Sequence, residues 1–254
     1  MQKEVYKRHI NNYSNHWWFQ ARKKIIETVI KKNISKKNIN ILDFGSGSGV
    51  NINMLSKYGH VNIYEPHLLT RNYLRKKFNS KKYSVIKEYT KKKFDLILLA
   101  DVLEHIKNDK KIIQNLSKNL KNDGFILITV PSYKILFSKK DLILGHYRRY
   151  SKIEILNLFR HFKTVRLTFF NSILFFPISF IILFFKLFKI DFIDEVEKSP
   201  NKIVNFILLK IFTLERRLIN HCNLPFGIYM LGLFQKKRLD QYLLYFPVIM
   251  KLID

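Results

Sequence analysis

The stretch Asn38 to Val50, Asn-Ile-Asn-Ile-Leu-Asp-Phe-Gly-Ser-Gly-Ser-Gly-Val, constrains the fold of this chain more than any other. Its first half is apolar at Ile39, Ile41, Leu42 and Phe44, as a central buried strand demands. Three glycines follow at alternate positions, Gly45, Gly47 and Gly49. Glycine accepts the backbone angles of a sharp turn and lets N–H groups come close to a ligand. Helical spacing resumes at Ile52 and Leu55. A strand, a glycine loop and a helix start, in that order, make a cofactor shelf in an α/β fold.

The spacing narrows the choice of cofactor. A dinucleotide fingerprint, G-x-G-x-x-G, would need glycine at position 50, which is Val50. A Walker loop would need a lysine after Gly49, and none follows. What stands here is Asp43-x-Gly45-x-Gly47-x-Gly49. This pattern resembles the first motif of the class I S-adenosylmethionine (SAM)-dependent methyltransferases. A second strand, His60 to Tyr64, then ends at Glu65, roughly 20 residues past the loop. A carboxylate there accepts two hydrogen bonds from the vicinal hydroxyls of a ribose. Nucleotide cofactors of both kinds share that acid, so Glu65 supports a site without naming its ligand.

Phe94 to Ile106, Phe-Asp-Leu-Ile-Leu-Leu-Ala-Asp-Val-Leu-Glu-His-Ile, carries the next signal. Leu96 to Leu99 is a continuous apolar run, as in a parallel strand buried on both faces. Its run into Asp101, Val102, Leu103, Glu104 and His105 resembles the fourth-strand motif of the same family, close to the form in ubiquinone- and menaquinone-pathway members. Asp101 falls at the carboxyl end of that strand, where α/β sheets bind ligands. Glu104 and His105 invite a general-base reading; a structural histidine at the strand–helix junction is the favoured alternative. Lys121-Asn122-Asp123-Gly124 closes the next helix, with Gly124 suited to a positive φ, and Phe125 to Val130 is a fifth strand.

The resemblance covers roughly residues 15–170 and 224–237. It implies an α/β, Rossmann-like, seven-stranded methyltransferase sheet, mostly parallel with the last strand antiparallel. It implies SAM as cofactor, held by Asp43, Gly45, Ser46, Gly47, Gly49, Glu65, Asp101 and Val102. The motifs imply no metal. A similar aromatic-then-basic opening to His16–Lys24 makes Trp18 and Arg22 candidates for a lid over the cofactor. Family members often place an adenine contact near Glu88 or Tyr89, and neither is chosen.

Ser151 and Glu154 form a capping box, so a helix is expected from Lys152 to about Phe162. His146, Tyr147, Arg148, Arg149 and Tyr150 therefore lie in a loop just before a helix, on the carboxyl side of the sheet. Arg148 and Arg149 suit bidentate contact with a carboxylate or phosphate; a packed basic loop is the alternative. The candidate catalytic residues are His146, His105 and Arg148, with His146 the better base for a hydroxyl acceptor.

A sixth strand, Lys163 to Phe170, should be followed by a seventh at 227–237. Residues 171–223 are then an insertion between them, giving a core of 1–170 and 224–237 and a tail of 238–254. The uncharged run from Asn171 to Phe185 would span about 22 Å as a helix, against about 30 Å of hydrocarbon. Pro177 interrupts it, so a monotopic hairpin fits better than a clean span. Pro200 is expected at the first position of a second helix with an apolar face at Ile203, Ile207, Ile211, Leu214 and Leu218. That face suits a membrane surface or the side of the catalytic domain.

Net charge of +27 points to anionic partners, although AT-rich codon usage is a second source for the abundant lysine. Cys222 is the sole cysteine, so no internal disulfide forms. Met1 to Ser14 has no apolar signal core, which gives an expected cytoplasmic location, peripheral or monotopic on the inner face of a membrane. The expected acceptor is a small or lipid-linked molecule, anionic in character; no specific nucleic acid is expected. Alternatives are an RNA methyltransferase, a non-catalytic membrane-surface protein of the same fold, and a nicotinamide oxidoreductase. No Asn-Pro-Pro-Tyr-like motif follows the fourth strand, and Asp43, the three glycines and Glu65 are all intact.

Overall fold

The computed structural model describes residues 16–188 and 200–237. The expectations for Met1–Ser14 and for the tail, 238–254, fall outside the described residues, as does 189–199 of the insertion. Seven strands form one sheet: β1 Ile39–Phe44, β2 Gly59–Tyr64, β3 Tyr83–Ile86, β4 Phe94–Ala100, β5 Leu120–Pro131, β6 Phe162–Phe170 and β7 Tyr229–Lys236. Their order is β3-β2-β1-β4-β5-β7-β6. The first five pair in parallel. β7 lies antiparallel between β5 and β6. This is the expected Rossmann-like methyltransferase sheet.

Alternation along β4 shows why its sequence is apolar throughout. Leu96 and Leu98 join one buried cluster while Ile97 and Leu99 join another, so both faces are covered. The first face is closed by α1 (Trp17–Asn33), the single turn α2 (Ile52–Leu55) and α3 (Leu68–Lys77). The second is closed by α4 (Asp109–Asn119) and α6 (Lys152–Leu158). Between them on the chain lies α5 (Lys139–Leu144), which has its own capping box from Ser138 and Asp141. The Ser151–Glu154 box starts α6 as expected, but the helix stops at Leu158 and not near Phe162. There β6 begins, pairing Phe162 with Lys236.

Three local expectations are corrected. Asp123, not Gly124, takes the positive φ at the turn before the β5 core, at 59°. Gly124 is required there for a different reason: a Cβ would lie 2.9 Å from Leu120 Cγ and 3.0 Å from the Lys121 carbonyl. Pro200 is not the first residue of its helix. That helix, α8 (Lys202–His221), is capped by Asn201, whose side chain accepts the Val204 N–H at 2.9 Å. The insertion is also not one body outside the core. Phe212 and Ile219 of α8 belong to the first buried cluster, and Trp17 N–H donates to Asn205 Oδ1 at 2.8 Å.

The other insertion helix, α7 (Phe175–Leu187), buries no residue. Phe176 and Phe180 are 66% and 69% exposed. The helix rests on the 3₁₀ turn Lys134–Leu136 just past β5, where Lys186 Nζ donates to the Ile135 carbonyl at 3.3 Å. No helix among the described residues is long and apolar enough to cross a membrane.

Candidate active site

The strand order reverses direction between β1 and β4, and ligands of open α/β sheets bind at that crevice, beyond the carboxyl ends. Asp43, Glu65 and Asp101 sit at or just past the ends of β1, β2 and β4. Gly45, Gly47 and Gly49 all have positive φ, at 73°, 53° and 80°. Each does something different. A Cβ on Gly45 would lie 2.8 Å from Val102, so glycine lets the loop lie against the chain leaving β4. On Gly49 it would meet Phe78, Ile52 and Leu74 at 2.6–2.9 Å. On Gly47 it would meet nothing within 4 Å: this glycine faces open space. The helix behind the loop is one turn long and offers no extended dipole, while the Gly45, Ser46, Gly47 and Gly49 N–H groups are already bonded within the protein.

Glu65 is folded back onto the loop. Its Oε2 accepts the Gly47 N–H at 2.9 Å and its Oε1 accepts the His67 N–H at 2.9 Å. One acceptor site per oxygen remains for a pair of hydroxyls. Burial pushes its pKa up, and the two N–H groups pull it back. Asp43 is fully buried, with Oδ2 lacking any hydrogen-bond partner. Burial raises its pKa to about 7. Ser46 Oγ donates to the Asp43 carbonyl at 2.8 Å, which tightens the first turn of the loop. An orphaned carboxylate oxygen, an open glycine and a ribose-type acid fit a nucleoside cofactor with a cationic end.

Asp101 has a φ of 56°, an uncommon value for a residue with a side chain. Thr129 fixes it: its Oγ1 donates to Asp101 Oδ1 at 2.6 Å, and its carbonyl accepts the Asp101 N–H at 3.0 Å. Arg22 from α1 forms an ion pair with Asp101 Oδ2. Strain held in place at a strand end is typical of binding sites.

A second cluster lies a few residues further on. Glu104 is 0% exposed and neither carboxylate oxygen has a partner; burial raises its pKa to about 8. The rings of His105 and His146 meet edge to face with centroids 4.7 Å apart. His105 Nδ1 lies 3.2 Å from the Gly145 carbonyl. Burial, then the neighbouring His146, lowers the His105 pKa to about 4. His146 Nδ1 lies 2.9 Å from Asp141 Oδ1. Asp141 also takes Arg149 Nε at 3.0 Å and the Ser138 N–H at 2.9 Å. Burial works against ionisation of Asp141, but His146, Arg149 and Ser138 outweigh it and hold its pKa at about 2.

Residues 15–174 match the family model described as methyltransferase domain. The chain belongs to that family. The resemblance to class I SAM-dependent methyltransferases therefore holds, and this methyltransferase shares its fold with solved structures of low sequence identity. One is the N-methyltransferase NodS from Bradyrhizobium japonicum in complex with S-adenosylhomocysteine (SAH): 13% identity, TM-score 0.56, covering 92% of this chain and 98% of that one. Another is the plantazolicin methyltransferase BpumL in complex with SAH: 15% identity, TM-score 0.58, covering 93% and 90%. A third is described as a sarcosine dimethylglycine methyltransferase from Galdieria sulphuraria: 15% identity, TM-score 0.55, covering 84% of each. No curated protein matches the chain in sequence.

Other expected site residues of the methyltransferase are placed as follows. Trp18 is partly buried at the edge of the core, where it stacks on Phe170 at 5.7 Å and contacts Tyr229 at 4.4 Å. Arg22 does reach the site, through Asp101. His146 does not stand on an open edge; its side chain is 6% exposed. Arg149 is buried against Asp141, so it does not face an acceptor. Arg148 pairs with Asp109 at 3.0 Å and the Lys107 carbonyl at 2.6 Å, and remains partly exposed. Sequence reasoning missed Asp141, Thr129 and an aromatic trio. Phe44 and Tyr64, the last residues of β1 and β2, stack on each other, and Tyr89 meets both edge to face, with centroids 4.9–5.3 Å apart. The Ser138–Asp141 capping pattern was the available signal for Asp141.

Proposed function

We propose that this methyltransferase uses SAM to methylate a small or lipid-linked acceptor at a membrane surface. The open space at Gly47, whose N–H Glu65 holds, carries the cofactor assignment. Bound SAM supplies a methyl group on a sulfonium, ready for in-line displacement. Glu65 would hold ribose hydroxyls, the loop would leave room beside Gly47, and Asp43 would take a cationic group. Asp101, locked by Thr129 and Arg22, would set the far wall of the pocket. The acceptor would lie toward Glu104, His105 and His146, and alignment is what this chain contributes most to the rate.

The membrane part of the reading rests on α7 and its surroundings. α7 presents Phe176, Phe180 and Leu187 to solvent. The segment it touches exposes Ile135, and α5, next on the chain, exposes Leu142 and Ile143. Lys134, Lys139, Lys140 and Lys186 are interspersed with these apolar residues. Each lysine near an anionic leaflet contributes about 1 kcal/mol. Exposed phenylalanines of this number on one short helix are unusual for a soluble surface. Tyr133 ties α7 to the end of the sheet: it follows β5, stacks with Phe169 and lies 5.3 Å from Phe175. A face docked there would bring a lipid-linked acceptor to the mouth of the crevice, on the inner leaflet.

Flotation with anionic phospholipid vesicles tests the docking. The intact protein should float with the vesicles and resist a high-salt wash. The triple variant Phe176→Ser, Phe180→Ser, Phe184→Ser should stay at the bottom of the gradient while binding SAH normally. α8 must be left intact because Phe212 and Ile219 are core residues. An intact protein that fails to float at low salt would sink the membrane reading and leave the cofactor assignment standing.

A further inference from the structure

Glu104 poses a physical problem. It is wholly buried, and neither carboxylate oxygen meets a donor. A buried carboxylate cannot keep its charge without a partner, so a proton or a cation must sit on it. Its surroundings favour a cation. One nitrogen each of His105 and His146 and one Glu104 oxygen all lie within 4.8 Å of one another. In each ring Nδ1 already faces an oxygen, the Gly145 carbonyl or the Asp141 carboxylate. That arrangement places the ring proton on Nδ1 and leaves the Nε2 lone pair for a ligand.

We infer that Glu104, His105 and His146 bind one divalent transition-metal ion, with zinc the best fit. Two imidazoles and one carboxylate are a known type of zinc set, with a fourth position left open. In a tetrahedral set, ligand bonds of about 2.0–2.1 Å put donor atoms about 3.3–3.4 Å apart. Closing the cluster from its present span of up to 4.8 Å therefore takes side-chain rotations that move the donors by up to about 1.4 Å. The supporting contacts are those of a metal centre. Asp141 orients His146 and is itself held by Arg149 and the Ser138 N–H, the carboxylate–histidine pattern of zinc sites. The Tyr147 N–H donates to the Glu104 carbonyl at 2.7 Å, fastening the two ligand-bearing segments together.

The consequence deepens the methyltransferase reading and depends on it. The cluster follows Asp101 and Val102 closely along the chain, where that reading puts the acceptor. The open metal position would take an oxygen of the acceptor and favour its deprotonated form. A nitrogen that holds zinc cannot also accept a proton, so His146 would be a ligand and not the general base. The acceptor class that follows is a hydroxyl compound able to bind zinc through oxygen.

Metal titration tests the inference without any methyl transfer. The exposed Cys222, beside His221, is an independent thiol that would capture zinc, so the protein is made with Cys222→Ser. Chelator-stripped protein is titrated with zinc chloride by calorimetry and with cobalt chloride by visible absorption. We expect one zinc per chain and a tetrahedral cobalt spectrum. His146→Ala and Glu104→Gln should each weaken zinc at least tenfold, and Asp141→Asn by 10- to 100-fold. SAH binding, measured in the same preparations, should persist in Glu104→Gln. Absence of a stoichiometric zinc site in the Cys222→Ser protein overturns the inference, as does unchanged zinc affinity in His146→Ala. Should the variants fail to fold, the cobalt spectrum of the Cys222→Ser protein decides alone. A protein that binds zinc but not SAH would instead remove the methyltransferase reading while keeping the metal site.

Discussion

Gly47 and Gly49 are two residues apart, and the structure gives them opposite sensitivities. Both have positive φ, so alanine at either costs about 1–2 kcal/mol of backbone energy. At Gly49 the new methyl also strikes Phe78, Ile52 and Leu74, adding about 1–3 kcal/mol of overpacking. At Gly47 it enters open space. Gly49→Ala should therefore lower the melting temperature clearly more than Gly47→Ala, while Gly47→Ala should suffer a loss of SAH affinity out of proportion to its stability. Equal effects on both measurements would mean Gly47 does not face the cofactor. The sequence showed three glycines but not this division, because spacing reports backbone freedom and not what a side chain would meet. Likewise His146 and Arg149 read as an open basic loop, and only the fold reveals the buried Asp141 that receives both. Charge is also decided locally at Asp95. Burial would raise its pKa, but Lys121, Lys36 and the Asn40 N–H prevail and hold it at about 2. A carboxyl whose folded pKa lies below its ordinary 3.8 stabilises the fold above about pH 4 and loses that contribution as the pH falls toward 2. Asp95→Asn should cost about 1–2 kcal/mol at pH 7, the lysines being partly in water, and almost nothing near pH 2. Urea denaturation of both proteins at the two pH values checks this; a constant difference across pH would contradict it.

Among the elements, the glycine loop and the apolar β4 run carried the family resemblance that implied the sheet and its crevice, and the Ser151–Glu154 box marked the start of α6. These signals are local, and local chemistry is what a sequence displays. What was hidden is how the insertion divides. α7 and α8 are both apolar on at least one face, but only α8 buries side chains in the core. Its match is the aromatic end of α1: Phe212 lies 5.1 Å from Trp17 and 5.9 Å from Trp18. No pattern within 171–223 states that Trp17 and Trp18 are the surface it needs. Phe212→Ala should destabilise the protein by about 3–5 kcal/mol. Phe180→Ala, at an exposed position of α7, should change stability by less than about 0.5 kcal/mol. A comparable loss for both would show that α7 is buried against something in solution.

For the molecule as a whole, a mostly parallel sheet supplies a cofactor crevice, its strand ends supply three acids, and an exposed apolar helix lies against the turn that follows β5. Family membership and fold establish a methyltransferase; the membrane and the acceptor are proposals resting on α7 and on the Glu104–His105–His146 cluster. Calorimetric titration with SAH tests whether the crevice at Gly47 holds SAM. Saturable one-to-one binding is expected, weakened about 5- to 160-fold by Glu65→Ala through loss of about 1–3 kcal/mol of hydrogen bonding. Folded protein that binds neither SAH nor SAM, or that binds a nicotinamide dinucleotide in their place, would contradict it.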